Sequence, residues 1–542
     1  MDQDLQSIQQ ARDLVQRAHA AKERYKTFTQ QQVDRIVAAM AEAGEQASER
    51  LGRMAHEETG FGRVESKKMK NLFATKLLHE RMAGMKTAGI IRKLENDTIW
   101  EIAMPMGIVA ALIPSTNPTS TAMYKAIIAA KARCGIVMSP HPRAGACTAE
   151  ALKVVAEAAY AAGAPDGLFG CMTEVSLRGT NALLEHPETD IILATGGGAM
   201  VRAAYSKGKP AYGVGSGNVP VYVDRSADVD KAAADLLYGV SFDWGTLCST
   251  ERSVVADYPI KARLVEAMKR EEAYFLNADE KEKLRAVVLH KGRLNVEQVG
   301  RPPHHIATMA GFSVPQSTRA LVAEVDIVGK GEPLSMETLS PILAFYTVDG
   351  WQAGCDRCIE VLQFGGIGHT LGIHSTSEHV IEAFALQKPS MRIVVNTVAA
   401  LGSVGYTNRL FPAMTLGPGT IGGSITSDNI SPMHLLNIKR LAFETDPINP
   451  SGGKGQGGRG KRASVATGNS KSWMDEIEAR LLARAGNPSA TPAATPKAAV
   501  PASGGSVRAK AAPVSSPPAS SSATTLPLPD AQIEALITRF KK

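Results

Sequence analysis

The chain has 542 residues, of which 44% are hydrophobic and 21% charged, with a net charge of +7. This composition predicts a globular protein with a large core, and the sequence contains no run of roughly 18 uncharged apolar residues that would predict a membrane span. The positive charge is concentrated after residue 450, where 13 basic residues stand against 5 acidic ones, so the body is not predicted to bind nucleic acid.

The chain start and the cysteine content indicate the cellular setting. Residues 1–5 have neither a basic segment nor an apolar segment, so they predict no secretory signal. Six cysteines in so long a chain do not make a disulfide framework. We therefore expect a reduced, cytoplasmic environment.

Helical periodicity opens the chain. Apolar residues recur at spacings of three and four over residues 3–50, which predicts helix. Residues 90–102 then read as two short strands around the pair Asn96 and Asp97, a pattern typical of a β-hairpin.

Strands and helices alternate from Gly107 to about Val223, and a second alternating stretch covers about 224–415. In the first stretch, the predicted strands are 108–113, 136–139, 190–194 and 219–223, and the predicted helices are 146–162 and 198–205. Such alternation predicts α/β structure with parallel, doubly wound sheets.

The composition changes after about residue 450. Residues 451–525 are rich in Gly, Ala, Pro, Ser and Thr and predict a disordered linker, interrupted by a short helix at about 472–485. Asp530 can cap a last helix whose Ile533, Leu536 and Phe540 form one apolar stripe. We expect the segment 526–542 to dock into a partner's groove, the alternative being that it packs back on its own body.

Six motifs occur in one order along the body, at 114–119, 139–143, 194–206, 209–220, 243–252 and 368–370. Together they resemble the CoA-acylating branch of the aldehyde dehydrogenase superfamily, and the resemblance covers about residues 5–445. The resemblance implies a short aliphatic aldehyde such as acetaldehyde or propionaldehyde as substrate, with a functionalised small aldehyde as the alternative. The resemblance implies reversible oxidation of an aldehyde by NAD(P)⁺ in the presence of CoA, which gives an acyl-CoA.

The resemblance also implies the fold. We expect the aldehyde dehydrogenase fold, with two doubly wound, Rossmann-like α/β domains, a small β oligomerisation hairpin and a disordered C-terminal extension. The predicted parts are a domain that binds NAD and CoA (1–223, with the hairpin at about 90–104), a catalytic domain (224–415), a return and oligomerisation segment (416–450), the linker (451–525) and the last helix (526–542).

Cys248 is the predicted nucleophile. A thiolate that attacks an aldehyde forms a tetrahedral adduct, and loss of hydride from this adduct leaves a thioester on the enzyme. The resemblance implies that Asn117 donates a hydrogen bond to the oxyanion of the adduct. It also implies that His369 lies near the cysteine and deprotonates it or CoA, whereas a hydrogen-bonded core histidine is the alternative. Apolar side chains proposed to line the aldehyde pocket are Met104, Met123, Tyr124, Trp244 and Leu247.

The other cysteines are predicted to be inert. Cys134, Cys147 and Cys171 lie in apolar or helical sequence, and the single pair Cys355 and Cys358 has no matching second pair, so it predicts a helix rather than a metal site. The pair His304 and His305 has no carboxylate or cysteine partner at ligand spacing, so we predict no metal site there.

A glycine run that follows a strand and opens a helix can bind pyrophosphate through its N–H groups, and residues 196–198 fit this pattern. The resemblance places Ser139, Pro140, His141 and Arg143 at the adenosine half of the cofactor, and Glu337 at the nicotinamide ribose. Pro142 replaces the acid that favours NAD, so NADP stays open, and Arg143 is also a candidate for a CoA phosphate. The predicted cofactor-binding residues are Thr116, Ser139, Pro140, His141, Arg143, Thr195, Gly196, Gly197 and Glu337.

Val214 stands where hydrolytic aldehyde dehydrogenases carry the glutamate that activates water. Valine cannot act as a general base, so the thioester is expected to wait for the thiol of CoA as co-substrate. The alternatives are a hydrolytic aldehyde dehydrogenase, or a non-catalytic cargo or scaffold protein; glutamyl-phosphate reductase fits the flanking motifs less well.

The last helix resembles the encapsulation peptides of enzymes packed in bacterial microcompartments. The expected partners are therefore a small aldehyde, CoA, the other subunits of a homodimer or homotetramer, and microcompartment shell proteins. The expected location is the cytoplasm, inside such a compartment, without contact to nucleic acid or membrane.

Overall fold

A computed structural model describes residues 2–449. The predicted linker at 451–525, its helix at 472–485 and the helix at 526–542 lie outside the described residues. Between residues 2 and 449 there is no helix that is both long enough and apolar enough to cross a membrane.

The described chain alternates helices and strands. The α-helices are α1 (Gln3–Tyr25), α2 (Gln30–Gln46), α3 (Ser48–Thr59), α4 (Val64–Leu72), α5 (Leu78–Arg81), α6 (Pro118–Lys131), α7 (Gly145–Ala161), α8 (Leu177–Glu185), α9 (Gly198–Tyr205), α10 (Val229–Ser241), α11 (Lys261–Arg270), α12 (Ala278–Val288), α13 (Pro303–Ala310), α14 (Gly350–Phe364), α15 (Glu378–Gln387) and α16 (Ala399–Gly402). The strands are β1 (Gly89–Leu94), β2 (Ile99–Pro105), β3 (Ile108–Ile113), β4 (Gly135–Pro140), β5 (Phe169–Cys171), β6 (Ile191–Thr195), β7 (Ala211–Val214), β8 (Val219–Val223), β9 (Glu251–Asp257), β10 (Ala273–Phe275), β11 (Leu289–His290), β12 (Arg293–Leu294), β13 (Ala320–Glu324), β14 (Ile342–Val348), β15 (Leu371–His374), β16 (Ile393–Val395) and β17 (Leu436–Ala442).

The amino-terminal region is helical, as predicted, but the helix over residues 3–50 is interrupted. Helix α1 ends at Tyr25, and Thr29 caps α2. The Thr29 hydroxyl accepts a hydrogen bond from the Gln32 N–H, and the Gln32 side chain accepts one from the Thr29 N–H. This reciprocal cap satisfies free donors at the start of α2 and begins a new helix.

The first parallel sheet has the strand order β5-β4-β3-β6-β7. The predicted strands at 108–113, 136–139 and 190–194 are confirmed as β3, β4 and β6. One face packs on α2, α6 and α7, and the other on α1, α8 and α9. The predicted doubly wound arrangement is therefore confirmed for this sheet.

The second parallel sheet has the order β10-β13-β14-β9-β8-β15-β16. Helices α10 and α11 cover one face, and α12 to α15 cover the other. Strand β8 lies before the predicted domain boundary at residue 223 but pairs with β9 and β15 in this sheet. The change from one sheet to the other therefore occurs before Val219, not after Val223.

The predicted hairpin at 90–104 is confirmed as β1 and β2. Residues 95–97 have positive φ angles of 47°, 52° and 66° and close the turn. Strand β17, within the predicted return segment 416–450, pairs antiparallel with β2 and completes a three-stranded sheet.

The two parallel sheets contribute loops from opposite strand ends, the first sheet from carboxyl ends and the second from amino ends. In the first sheet, successive strands proceed outward in opposite directions from β3 and β6, so the loops at their carboxyl ends form a crevice at a topological switch point. In the second sheet, β14, β9, β8 and β15 are consecutive neighbours, so the loops that precede them lie side by side. The functional residues lie on these two groups of loops.

Candidate active site

A cleft of about 400 Å³ lies between the two groups of loops. The first sheet lines it with residues that follow β3 and β6, namely Pro114, Ser115, Thr116, Asn117, Gly196 and Gly197. The second sheet lines it with residues that precede β8, β9 and β14, namely Gly215, Ser216, Thr246, Leu247, Cys248 and Glu337.

Cys248 lines this cleft and pairs with His369, which is buried next to it and is not among the lining residues. The imidazole Nε2 lies 3.2 Å from Sγ of Cys248, and Nδ1 lies 2.9 Å from the Thr370 hydroxyl. When Nδ1 carries the ring proton and donates to Thr370, Nε2 can accept the thiol proton. The histidine is buried, as the alternative interpretation expected, but its ring is directed at the predicted nucleophile.

Burial sets the protonation of this pair. It raises the pKa of the Cys248 thiol to about 12, with a contribution from the carboxylate of Glu337, and lowers the pKa of His369 to about 3. At neutral pH the resting pair is therefore a thiol beside a neutral imidazole. Such an imidazole can remove the thiol proton as the sulfur attacks.

Asn117 also lines the cleft, at the amino end of α6. Its Nδ2 donates to the Thr116 hydroxyl at 3.1 Å and to the Thr246 carbonyl at 3.4 Å. The amide is thus directed toward the loop that carries Cys248, as an oxyanion donor must be.

The Cys248 loop begins with an unusual backbone turn. Asp243, Trp244 and Gly245 have consecutive positive φ angles of 49°, 50° and 74°. The buried guanidinium of Arg252 holds the loop, because it donates to the carbonyl of Gly245, to that of Leu247 at 3.3 Å and to that of Ser340 at 2.8 Å. A non-glycine residue costs free energy in this conformation, so the side-chain bonds around it are needed.

The sequence analysis missed a buried charged cluster behind Asn117. Lys67 and Lys70, three residues apart on α4, both reach the carboxylate of Asp243. Asp243 also accepts hydrogen bonds from the Arg63 N–H at 2.7 Å and from the Thr246 hydroxyl at 2.5 Å. Burial lowers the pKa of Lys70 to about 7, while Asp243 opposes that shift. The spacing of the lysines was the only signal in the sequence, and lysines are seldom buried.

Six of the predicted cofactor residues line the cleft, namely Thr116, His141, Thr195, Gly196, Gly197 and Glu337. Within the described chain, no side chain caps the amino end of α9 at Gly197, so the N–H groups there can meet a phosphate. The Glu337 carboxylate accepts a hydrogen bond from the Gly217 N–H at 2.9 Å, which fixes its position. Burial raises the pKa of Glu337.

The other three predicted cofactor residues are not among those that line the cleft. The Ser139 hydroxyl is 2.8 Å from that of Thr180, and Pro140 ends β4. Arg143 is exposed and lies 3.8 Å from the carboxylate of Glu297. Their predicted contacts with the adenosine half of the cofactor remain predictions.

Of the five apolar pocket residues proposed from sequence, only Leu247 lines the cleft. Met104 is exposed on β2, Met123 and Tyr124 are buried within α6, and Trp244 packs under Arg63. The apolar wall instead comes from residues that the sequence analysis did not select, namely Phe61, Val299, Leu339, Val404, Met414 and Leu416.

The remaining cysteines lie apart from the cleft lining. Cys134 and Cys147 are buried, and burial raises the pKa of Cys134 to about 11 and that of Cys171 to about 12. The pair Cys355 and Cys358 lies on α14, as predicted. Within residues 2–449, no group of three or more His, Cys, Asp or Glu side chains is placed to hold a metal ion.

Known proteins are similar to this chain in sequence. Residues 4–286 match the model of the aldehyde dehydrogenase family. The chain is 41% identical over 434 residues to the bifunctional aldehyde-alcohol dehydrogenase AdhE of Escherichia coli K12, a match that covers 79% of this chain and 49% of that protein. The chain thus spans about half the length of that relative.

Two solved structures cover the body more completely. An acetylating aldehyde dehydrogenase from Geobacillus thermoglucosidasius is 49% identical, with a TM-score of 0.82 over 83% of this chain and 99% of that one. A propionaldehyde dehydrogenase from the Clostridium phytofermentans fucose utilisation bacterial microcompartment is 27% identical, with a TM-score of 0.73 over 80% and 97%.

Proposed function

Because this chain belongs to the aldehyde dehydrogenase family, we propose that it is a CoA-acylating aldehyde dehydrogenase. The reaction is aldehyde + CoA + NAD(P)⁺ ⇌ acyl-CoA + NAD(P)H + H⁺. The observation that carries the proposal is the pairing of Cys248 with His369 beside a cleft that Val214 lines. The family resemblance aligns Val214 with the water-activating glutamate of the hydrolytic enzymes. The acetylating relative from Geobacillus supports the same reaction.

The first half of the reaction uses three side chains. His369 Nε2 takes the thiol proton as Cys248 Sγ bonds to the aldehyde carbon, and Asn117 Nδ2 donates to the oxygen that becomes negative. The site stabilises charge only as it develops, because thiol and imidazole are neutral at rest. Departure of hydride from the adduct leaves an acyl group bound to Cys248 as a thioester.

The residues of the cleft fit a nicotinamide dinucleotide. The open amino end of α9 suits its pyrophosphate, and Glu337 suits a ribose hydroxyl. When bound, the oxidised nicotinamide supplies the acceptor for the hydride.

The second half of the reaction requires a thiol rather than water. Val214 is buried in the cleft wall, and its side chain has no basic group. Among the described residues that line the cleft, Glu337 carries the only carboxylate, and it is bound to the Gly217 N–H. The thioester therefore persists until the CoA thiol attacks it, with His369 as the acceptor of the thiol proton.

Apolar side chains in the cleft lining, including Leu247, Val404 and Met414, favour a short aliphatic aldehyde. An uncharged alkyl group gains from contact with these side chains, whereas a charged group would lose its water without a partner. Acetaldehyde and propionaldehyde are the substrates to test first.

The proposed function is tested by one turnover without CoA. Enzyme mixed with NAD⁺ and propionaldehyde should release NADH in a burst of one equivalent per site and then stop. Mass spectrometry should find a propionyl group on the peptide that contains Cys248. Continued NADH release without CoA would contradict the proposal and favour the hydrolytic alternative.

We further propose that the last helix, predicted at 526–542, directs the enzyme to a microcompartment shell. The support is its apolar stripe in the sequence and the similarity to the enzyme of the Clostridium phytofermentans microcompartment. Removal of residues 526–542 should leave turnover unchanged and abolish co-purification with shell proteins. Unchanged co-purification would contradict this assignment.

We also propose that the enzyme is a homodimer or homotetramer, formed through the three-stranded sheet. Strand β17 is an edge of this sheet, and Met104, Leu441 and Phe443 are exposed on or beside it. Replacement of Leu441 and Phe443 by Ser should lower the mass measured in solution, whereas an unchanged mass would exclude this surface.

A further inference from the structure

We propose that Lys70 is a positioning residue that fixes the amide of Asn117 in the orientation needed to bind the oxyanion. The inference rests on the proposed function, because the oxyanion arises only if Cys248 attacks a carbonyl carbon. It adds a residue from α4, which none of the sequence motifs included.

The contact between Lys70 and Asn117 defines which way the amide faces. Lys70 Nζ donates to Oδ1 of Asn117, and both side chains are buried. In its charged form, which the Asp243 carboxylate favours, Lys70 has donors and no acceptor, so the amide NH₂ cannot replace Oδ1 in this contact. The NH₂ group must therefore face Thr116 and Thr246, on the side of the Cys248 loop.

Lys70 is itself held in place by a second buried contact. Its Nζ also donates to Asp243, whose carboxylate is anchored by the Arg63 N–H and by Thr246. Lys67 lies 3.3 Å from the same carboxylate but donates to the Thr116 carbonyl rather than to Asn117. Lys70 is thus the member of the Asp243 cluster that binds Oδ1 of Asn117, whereas Thr246 joins the cluster to Nδ2 of the same amide.

The contact between Lys70 and Asn117 has two consequences for the reaction. Without Lys70 the amide can rotate by half a turn, and its oxygen would then face the developing negative charge. With Lys70 bound to Oδ1, electron density is drawn toward the oxygen, which makes Nδ2–H a stronger donor. Both effects act on the transition state for carbonyl attack and not on the thiol itself.

The test compares carbonyl attack with a reaction of the same thiol that forms no oxyanion. The rate of the NADH burst without CoA reports attack on the aldehyde, whereas alkylation of Cys248 by iodoacetamide displaces iodide and places no charge on a carbonyl oxygen. Lys70→Met removes the donor and keeps an unbranched side chain that is one heavy atom shorter. It should slow the burst about 10²-fold, as loss of an oxyanion donor does, with the alkylation rate changed less than about twofold.

A double-mutant cycle then asks whether Lys70 acts through Asn117. In an Asn117→Ala background, Lys70→Met should cause no further slowing, since the amide that it orients is gone. The matched control is Lys68→Met, because Lys68 is exposed on the same helix and pairs with Glu49 at the surface. This control should keep the wild-type burst rate.

Three results would overturn the inference: a Lys70→Met burst within about twofold of wild type, losses that multiply in the double variant, or alkylation slowed in step with the burst. If Lys70→Met does not fold, the same comparison is made in an Asp243→Asn background, where loss of the Lys70 cation leaves no buried carboxylate without it. A wild-type enzyme without any burst would instead contradict the proposed function.

Discussion

The Nε2 atom of His369 lies 3.2 Å from Sγ of Cys248, although the two residues come from loops that precede different strands, β15 and β9. Gly217 lies directly against both residues, since a Cβ there would lie 2.1 Å from the Cys248 carbonyl oxygen and 3.0 Å from the imidazole ring. Among the described residues, His369 is the basic side chain that is hydrogen-bonded to the Cys248 thiol.

The resting thiol should behave as a weak acid. Because burial raises the pKa of Cys248 to about 12, the thiolate fraction rises about tenfold per pH unit through the neutral range. The rate of iodoacetamide inactivation should therefore rise with pH from about 6.5 to 9.5 without reaching a plateau. A plateau near neutral pH would show that Cys248 is already ionised and that His369 is not needed to deprotonate it.

Removal of the base should affect both halves of the reaction. His369→Ala should lower the rate of the NADH burst, and that of thioester transfer to CoA, by roughly 10²-fold to 10⁴-fold. His369→Gln keeps a side chain of similar size that cannot take a proton, so it should show the same loss. A full burst rate with a slow CoA step would restrict His369 to the second half of the reaction.

Val214 should decide the fate of the thioester. Val214→Glu places a carboxylate in the cleft wall, where it can activate water and give slow NADH formation without CoA. Val214→Gln is the matched control, because its amide cannot act as a base. Equal rates of NADH formation without CoA in the two variants would show that the lack of a carboxylate at position 214 is not what prevents hydrolysis.

Arg252 should be a major determinant of loop stability. Arg252→Met leaves the carbonyls of Gly245, Leu247 and Ser340 without their buried donor, a loss of about 3 kcal/mol or more. Urea unfolding should show the loss, and Arg252→Lys should recover only part of it because one ammonium cannot reach all three carbonyls. If the free energy of unfolding of Arg252→Met equals that of the wild type, the guanidinium does not stabilise the loop.

Glu251 should make stability depend on pH. Burial raises its pKa to about 8 from an ordinary value of 4.5, so the folded protein binds a proton that the unfolded chain releases. The stabilisation is complete below pH 4.5 and is lost as pH rises to about 8. The stability of Glu251→Gln minus that of the wild type should therefore increase across this interval. A difference in stability that does not change with pH would contradict a raised pKa for Glu251.

Local sequence pattern was sufficient for several strands, and the family resemblance supplied the candidates for the reacting residues. Strands β3 and β8 coincide with the predicted segments because each is an apolar run of strand length with few competing signals. Cys248, Asn117 and His369 were found through motifs, and the structure brings Cys248 and His369 into contact.

Other features depend on contacts that are distant in sequence. The pattern of β8 identifies a strand but not the sheet that it joins, so the boundary was placed after it. Lys70 is buried because its ammonium group donates a hydrogen bond to Asp243, which is 173 residues away in the sequence. Tyr124 looked like a pocket residue, yet its hydroxyl donates to the Ile430 carbonyl at 2.5 Å inside the core.

The central claim is that an acyl group on Cys248 is released to CoA and not to water. Its most direct test is steady-state NADH formation from propionaldehyde with and without CoA, on the wild type and on Cys248→Ala. Sustained turnover is expected only from the wild type with CoA. Sustained turnover of the wild type without CoA would contradict the claim and would identify a hydrolytic enzyme.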